Sequence, residues 1–150
     1  MAVTAFWYGS GLLNMAKADL LDYDTNTIKV MLTTSAYVPN QDTHDNKDDV
    51  TNEVTGTAYV AGGMTLGTKT VVQALNVVTL DAADTQWAAS TITARRAVVY
   101  DDAGGTAATK RLILWVDFGQ DEISSNGNFT IAWNASGIAT LTAADAVGFP

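Results

Sequence analysis

The stretch "STITARRAVVYDDAGGTAATKRLILWVDFG", residues 90–119, decides the fold class of this chain of 150 residues. It contains two apolar runs, residues 90–102 and 110–119, each about as long as a buried strand. Gly104 and Gly105 lie between the runs and mark a turn. Two strands joined by such a turn predict an antiparallel β-hairpin.

Further candidate strands recur on both sides of this hairpin, at residues 26–34, 56–63, 64–73 and 75–82 and as a closing pair within 126–143, where Asn126-Gly127 and Ser136-Gly137 mark turns. Strands about 10–15 residues apart with turns between them are typical of an antiparallel sandwich or barrel. Leucine and alanine recur at helical spacing near the N-terminus, which predicts one short helix over residues 12–20, capped by Ser10 or Gly11. We therefore expect residues 1–150 to form a single, mainly β domain.

The composition restricts the classes of function. Hydrophobic residues make up 47% of the chain and charged residues 16%, against roughly 25% charged in an average domain. So low a charge is typical of a surface covered by a partner, or of a β protein with an uncharged polar surface. The net charge of −8 argues against binding nucleic acid or an anionic membrane. Cysteine is absent, which excludes disulfides and thiolate chemistry. We see no signal peptide and no apolar run long enough to span a membrane.

The sequence offers little catalytic chemistry. Its single histidine, His44, cannot supply the second imidazole of a metal site. His44 lies in an acidic loop, residues 42–53, whose spacing misses the EF-hand pattern, so a solvated loop is favoured and a weak cation site is the alternative. Two pairs of acids, Asp101-Asp102 and Asp121-Glu122, are predicted at exposed hairpin ends. We expect no hydrolase activity and no cofactor.

Trp87, Trp115 and Trp133 each lie within or beside an apolar run. This position predicts core side chains, and the alternative is a platform on which carbohydrate stacks. The alternative requires exposed aromatic rings on one sheet face, with polar partners around them.

Three features suggest surfaces that contact a partner. The stretch "VTNEVTGTAYVAGGMTL", residues 50–66, holds one charged residue and is suited to flat packing, while Gly62 and Gly63 permit a turn or a close backbone approach. Phe6, Trp7 and Tyr8 cannot all face one core from a strand, which predicts that residues 1–8 form an arm contacting another subunit. Arg95 and Arg96 interrupt an apolar strand, so at least one should pair with an acid or cross an interface.

The segments "GSGLLNMAK", "DTNTIKVMLTTSAYVPNQDTH", "VTNEVTGTAYVAGGMTL", "STITARRAVVYDD", "LWVDFG" and "SSNGNFTIAWNASGIATL" are similar, in this order, to a family of small virion structural proteins of tailed bacteriophages. The resemblance covers nearly the whole chain, and "YVAGGMTL" and "ITARRAVVY" carry most of it. It implies a non-enzymatic particle component, made in the cytoplasm of the bacterial host.

Within that class, we expect a capsid decoration (cement) protein on the outer surface of the head, where it would bind the major capsid protein or other virion proteins. A homo-oligomer, with a trimer favoured, suits such a position. The alternatives are a tail or tail-tip subunit and a host- or glycan-binding module.

Overall fold

The computed structural model describes residues 3–17 and 21–144. Over these residues the chain forms eight strands and one α-helix, in the order β1 Thr4–Trp7, α1 Gly9–Ala16, β2 Ile28–Thr33, β3 Met64–Thr65, β4 Thr70–Ala74, β5 Val77–Asp81, β6 Thr85–Asp101, β7 Leu112–Ile131 and β8 Ala139–Thr142. Two short 3₁₀ helices lie in loops, at Lys47–Asp49 and Ala107–Thr109.

The strands form two antiparallel sheets, one of five strands in the order β1-β7-β6-β2-β3 and one of three in the order β4-β5-β8. The main core draws buried residues from both sheets, among them Val30, Val99 and Leu80. The prediction of a mainly β, antiparallel domain with a helix near the N-terminus is confirmed. Of the two predicted architectures, the described residues form the sandwich-like one and do not close into a barrel.

The hairpin predicted from residues 90–119 is confirmed as the centre of the larger sheet. It is long, because β6 and β7 also pair over residues 85–94 and 122–131. Near its turn the strands are buried on both faces. Ala97 and Val99 face the main core, while Val98 and Tyr100 face a second, smaller core. Burial on both sides explains why this part of the sequence is continuously apolar rather than alternating.

Three predictions about the strands and their turns were wrong. The strand predicted at residues 64–73 divides into β3 and β4, which lie in different sheets. Residues 56–63 form a loop, in which Ala58, Gly62 and Gly63 have positive φ angles, and three such residues within eight positions interrupt the extended backbone of a regular strand. Asn126-Gly127 does not reverse the chain but lies inside β7. There, Asn126 has a φ of 49° and the pairing with β6 shifts register nearby, so the residue produces a bulge.

The helix begins earlier than predicted, at Gly9 instead of residue 12, and ends at Ala16. Residues 18–20 of the predicted helix lie outside the described residues. The predicted caps are not used, since Tyr8 occupies the cap position with its backbone. The helix approaches β7 through Gly11, where an added Cβ atom would lie 2.7 Å from the carbonyl oxygen of Ile113. This close approach leaves Leu12 and Leu13 exposed.

Candidate contact surfaces

Arg95 and Arg96 both bind Asp117 of the neighbouring strand. The Nε atom of Arg95 lies 2.9 Å from Oδ1, and that of Arg96 lies 3.0 Å from Oδ2. Arg96 also donates to the backbone carbonyl of Tyr37 at 2.6 Å. The predicted acid partner therefore exists within the fold, and it serves both arginines.

The two arginines reach one carboxylate because β6 contains a bulge between Ala94 and Arg96. Ala94 and Ala97 both point into the main core although they are three residues apart, and the register with β7 shifts between Ala94 and Arg96. Arg95 and Arg96 consequently lie on the same side of the sheet, although adjacent residues of a regular strand point to opposite faces.

The acid is held in its charged form. Partial burial alone would raise the pKa of Asp117, but the hydrogen bond from Arg95, a bond from the Gly119 backbone N–H and the two guanidinium charges outweigh it. The pKa of this carboxyl consequently lies below the ordinary value for aspartate. Its contribution to stability is therefore complete above the unfolded pKa of about 3.9 and is lost as the pH falls through the folded value.

We expect Asp117→Asn to lower the free energy of unfolding by about 1–2 kcal/mol at pH 7, because charge-assisted hydrogen bonds become neutral ones. Urea unfolding at a series of pH values measures this difference. The difference in unfolding free energy between the two proteins should shrink as the pH falls below about 4, since the wild-type carboxyl is then protonated and also becomes neutral. A difference that stays constant from pH 7 to pH 3 would contradict the charged clamp.

The aromatic residues near the N-terminus belong to this chain's own fold. Thr4–Trp7 form the edge strand β1, paired with β7, and residues 1–2 of the predicted arm lie outside the described residues. Phe6 stacks on Trp115 with ring centroids 5.0 Å apart, while Trp7 packs against the main core on the other side. Tyr8 is completely buried. The three rings meet two surfaces as predicted, and contact with another subunit stays a prediction.

A hydrogen-bonded chain links Tyr8 to the only histidine. Nδ1 of His44 accepts from the Asn40 backbone N–H at 3.3 Å, so the Tyr37 hydroxyl, 2.9 Å away, must donate to the same nitrogen. Tyr8 then donates to Tyr37 at 2.8 Å. Burial, and next the bond to Tyr37, raises the pKa of Tyr8 far above its ordinary value, which keeps this donor protonated. His44 thus fastens the acidic loop to the second core.

The acidic loop is ordered by its own hydrogen bonds. The carboxylate of Asp49 accepts backbone N–H groups of Asp45 at 2.9 Å and of Asn46 at 3.2 Å. Burial would raise the pKa of Asp49, but these bonds outweigh it and lower that pKa. Among the described residues, no three His, Asp or Glu side chains are grouped so that they could hold a metal ion.

The stretch 50–66 packs against its own sheet. Oε1 of Glu53 accepts from the Tyr59 hydroxyl at 2.7 Å and from the Gly62 backbone N–H at 2.5 Å. The Tyr100 hydroxyl donates to the Gly62 carbonyl at 2.7 Å. Gly62 and Gly63 have φ angles of 93° and 75°, and Gly63 lies directly against the backbone of Val30. The predicted turn and close approach are confirmed, and a role of these glycines in an interface stays a prediction.

Asp101 and Asp102 lie at a hairpin end as predicted, but they are not exposed, and the prediction for the second pair of acids was wrong. Asp101 is buried at the end of β6, where it accepts from the Asn26 side chain at 2.7 Å. Asp102 binds Lys29 at 2.8 Å and Lys110 at 2.6 Å. Asp121 and Glu122 lie inside β7 instead of at a hairpin end. The acids at the turn are therefore engaged in holding the turn together.

The tryptophans are mainly core residues, as predicted. Trp87 and Trp115 are buried, and Trp133 is half-buried against the main core. With two of the three rings enclosed, these tryptophans do not provide the shared exposed platform that carbohydrate stacking requires.

The outer face of the three-stranded sheet is a flat, nearly uncharged surface that sequence reasoning missed. Leu80 points into the main core, so the alternate positions of β5 and their partners on β4 and β8 point outward. This surface, called here the Thr/Val face, consists of Thr70, Val72, Ala74, Val77, Thr79, Asp81, Thr140 and Thr142. Of these eight side chains, only that of Asp81 is charged, and none is buried.

A groove opens between the edge strands β1 and β8. This edge groove has a volume of about 880 Å³. Its walls include Val3, which precedes β1, Ala5 of β1, Val116 and Phe118 of β7, and Ala139 of β8. Trp133 and Glu122 also line it. The groove therefore combines apolar walls with polar side chains such as Asn128, Asn134 and Thr140, and it is bordered by the backbone of two sheet edges.

Within residues 3–17 and 21–144, no helix is both long and apolar enough to cross a membrane. No family model, no curated protein and no solved structure matches the chain.

Proposed function

We propose that this protein is a non-enzymatic structural subunit of a tailed-bacteriophage virion, and that it binds neighbouring subunits through the Thr/Val face. The observation that carries the proposal is the composition and exposure of this face. Seven of its eight side chains are uncharged, none of the eight is buried, and Val72 is exposed in the middle of a strand. The resemblance of the chain to small virion proteins, which covers nearly the whole sequence, supports the same functional class of virion structural proteins.

The chemistry of the face suits repeated protein contact. Threonine and valine are β-branched, so their side chains are stiff and lose little rotamer freedom when a partner covers them. Burying them also avoids the cost of removing water from charges. Val72 is 56% exposed on this face, although it is a large apolar residue in the middle of a strand. A permanent partner would remove this apolar area from water.

The preferred place is the outside of the head, as a decoration protein that binds the major capsid protein. A trimer on a local threefold position would use closed cyclic symmetry. The acidic loop would face outward, away from the packaged DNA, because like charges repel. A ring of the same subunit on the tail is the alternative. Quantitative mass spectrometry of purified particles, with the copy number relative to the major capsid protein, and imaging of the virion test both membership and place.

We expect Val72→Lys to reduce the amount of this protein in assembled particles by about tenfold or more, because a buried unpaired charge costs several kcal/mol. Val38→Lys is the matched control, since Val38 is 72% exposed but lies outside both the Thr/Val face and the stretch 50–66. Both variants should unfold at nearly the wild-type temperature. Equal incorporation of the two variants would show that the Thr/Val face is not the contact surface.

A further inference from the structure

We propose that the edge groove binds an extended segment of another polypeptide chain, which adds as a strand beside β1. The backbone of β1 provides hydrogen-bonding groups for such a strand. β1 ends the five-stranded sheet, so among the described residues only the side facing β7 is paired. Edge strands are commonly protected from such addition by charged residues or proline, and Thr4–Trp7 contain neither. An added strand would complete the hydrogen bonds on the free side.

The side chains beside this edge provide an apolar contact surface for the added strand. Phe6 points to the second core, so Val3 and Ala5 point to the main-core side, where they line the edge groove with Phe118. Val3 is nevertheless 56% exposed. An incoming strand would cover this apolar surface and would place alternate side chains in the groove. A free sheet edge beside a groove with apolar walls at Val3, Ala5 and Phe118 thus offers both the backbone and the side-chain part of strand recognition.

The charges of the groove and of the whole chain indicate which kind of segment could bind there. Glu122 lines the groove, and the chain carries a net charge of −8. An acidic segment is therefore disfavoured as the strand that enters this groove. The occupant should be an uncharged or weakly basic segment with apolar residues at alternate positions. The inference rests on the proposed function only for the source of that segment, which would be a neighbouring virion subunit.

The test uses the full chain and a synthetic nine-residue peptide of alternating threonine and valine, with a lysine at each end and both termini blocked. Amide hydrogen exchange, followed by NMR, should show new protection in β1 when the peptide is added. Ala5→Arg, which places a charge in the groove, should weaken binding by about tenfold or more. Thr4→Arg, on the opposite face of the same strand, should change it by less than about twofold.

Four outcomes would overturn the proposal. The first is that millimolar peptide produces no protection of β1, and the second is that Ala5→Arg and Thr4→Arg weaken peptide binding equally. The third is that the free protein associates with itself and that Ala5→Arg abolishes this association. The fourth is that the peptide binds only after residues 145–150 are removed. The third would identify a second copy as the occupant, and the fourth the chain's own C-terminal segment. Because the peptide experiment needs no virion, binding by a chain that proves absent from particles would refute the proposed function alone.

Discussion

Replacement of Tyr8 by alanine should lower the free energy of unfolding by about 3–5 kcal/mol, the range for removing a fully buried aromatic side chain. Tyr8 has no exposed surface, and its ring lies 4.7 Å from that of Trp115. The substitution also removes the donor to Tyr37 and so shortens the chain that ends at His44. Chemical denaturation of the free protein measures the loss.

Two variants separate the parts of this effect. Tyr8→Phe keeps the ring and should cost about 1 kcal/mol for the lost hydrogen bond. Phe6→Ala removes a neighbouring ring that is 39% exposed, and it should cost about 1 kcal/mol as the loss of a cross-strand aromatic contact. If Tyr8→Ala left stability unchanged but prevented assembly, the aromatic segment would be an intersubunit arm and not a part of the second core.

Gly63→Ala should lower the free energy of unfolding by about 3 kcal/mol or more. This is the largest loss that we expect from adding a methyl group to a glycine of the stretch 50–66. Gly63 has a φ of 75°, a conformation that disfavours any Cβ atom. The added methyl group would also collide with the backbone of Val30 and Met31 in β2, which cannot move aside without breaking the sheet. Thermal and urea unfolding of the purified variant measure the cost.

Gly67→Ala is the matched control, because an added Cβ atom there has no neighbour within 4 Å among the described residues. It should leave stability unchanged or raise it by about 0.4–1 kcal/mol through the unfolded state. A similar small effect at both glycines would mean that the loop does not approach β2 as closely as described.

The fold class was predictable because its signals are local. Apolar runs and glycine turns between residues 90 and 119 indicate the central hairpin without knowledge of any distant contact. The errors arose where one residue adopts an unusual backbone conformation. Asn126-Gly127 has the composition of a reversing turn, but a single left-handed residue in a long strand produces a bulge. Sequence composition does not distinguish the two.

The contact surfaces were less predictable, because they depend on which strands pair. The acid that binds Arg95 and Arg96 lies more than twenty positions along the chain, so only the need for a partner could be inferred. The stretch 50–66 attracted attention by its lack of charge, yet the backbone of Glu53 and the hydroxyl of Tyr59 bind β2 of its own sheet. The Thr/Val face has the same composition, but it exists only after β8 joins β5.

The pairing of β1 with β7 also bears on the order in which the protein folds. Thr4 lies opposite Asp117, more than one hundred positions later in the sequence, so β1 cannot find its partner until β7 has been synthesised. Until then, Phe6, Trp7 and Tyr8 lack the strand that will hold them, and the long loop to be closed slows the final step. We expect β1 to dock late, after the β6–β7 hairpin, which makes newly synthesised chains most prone to aggregate just before the sheet is completed.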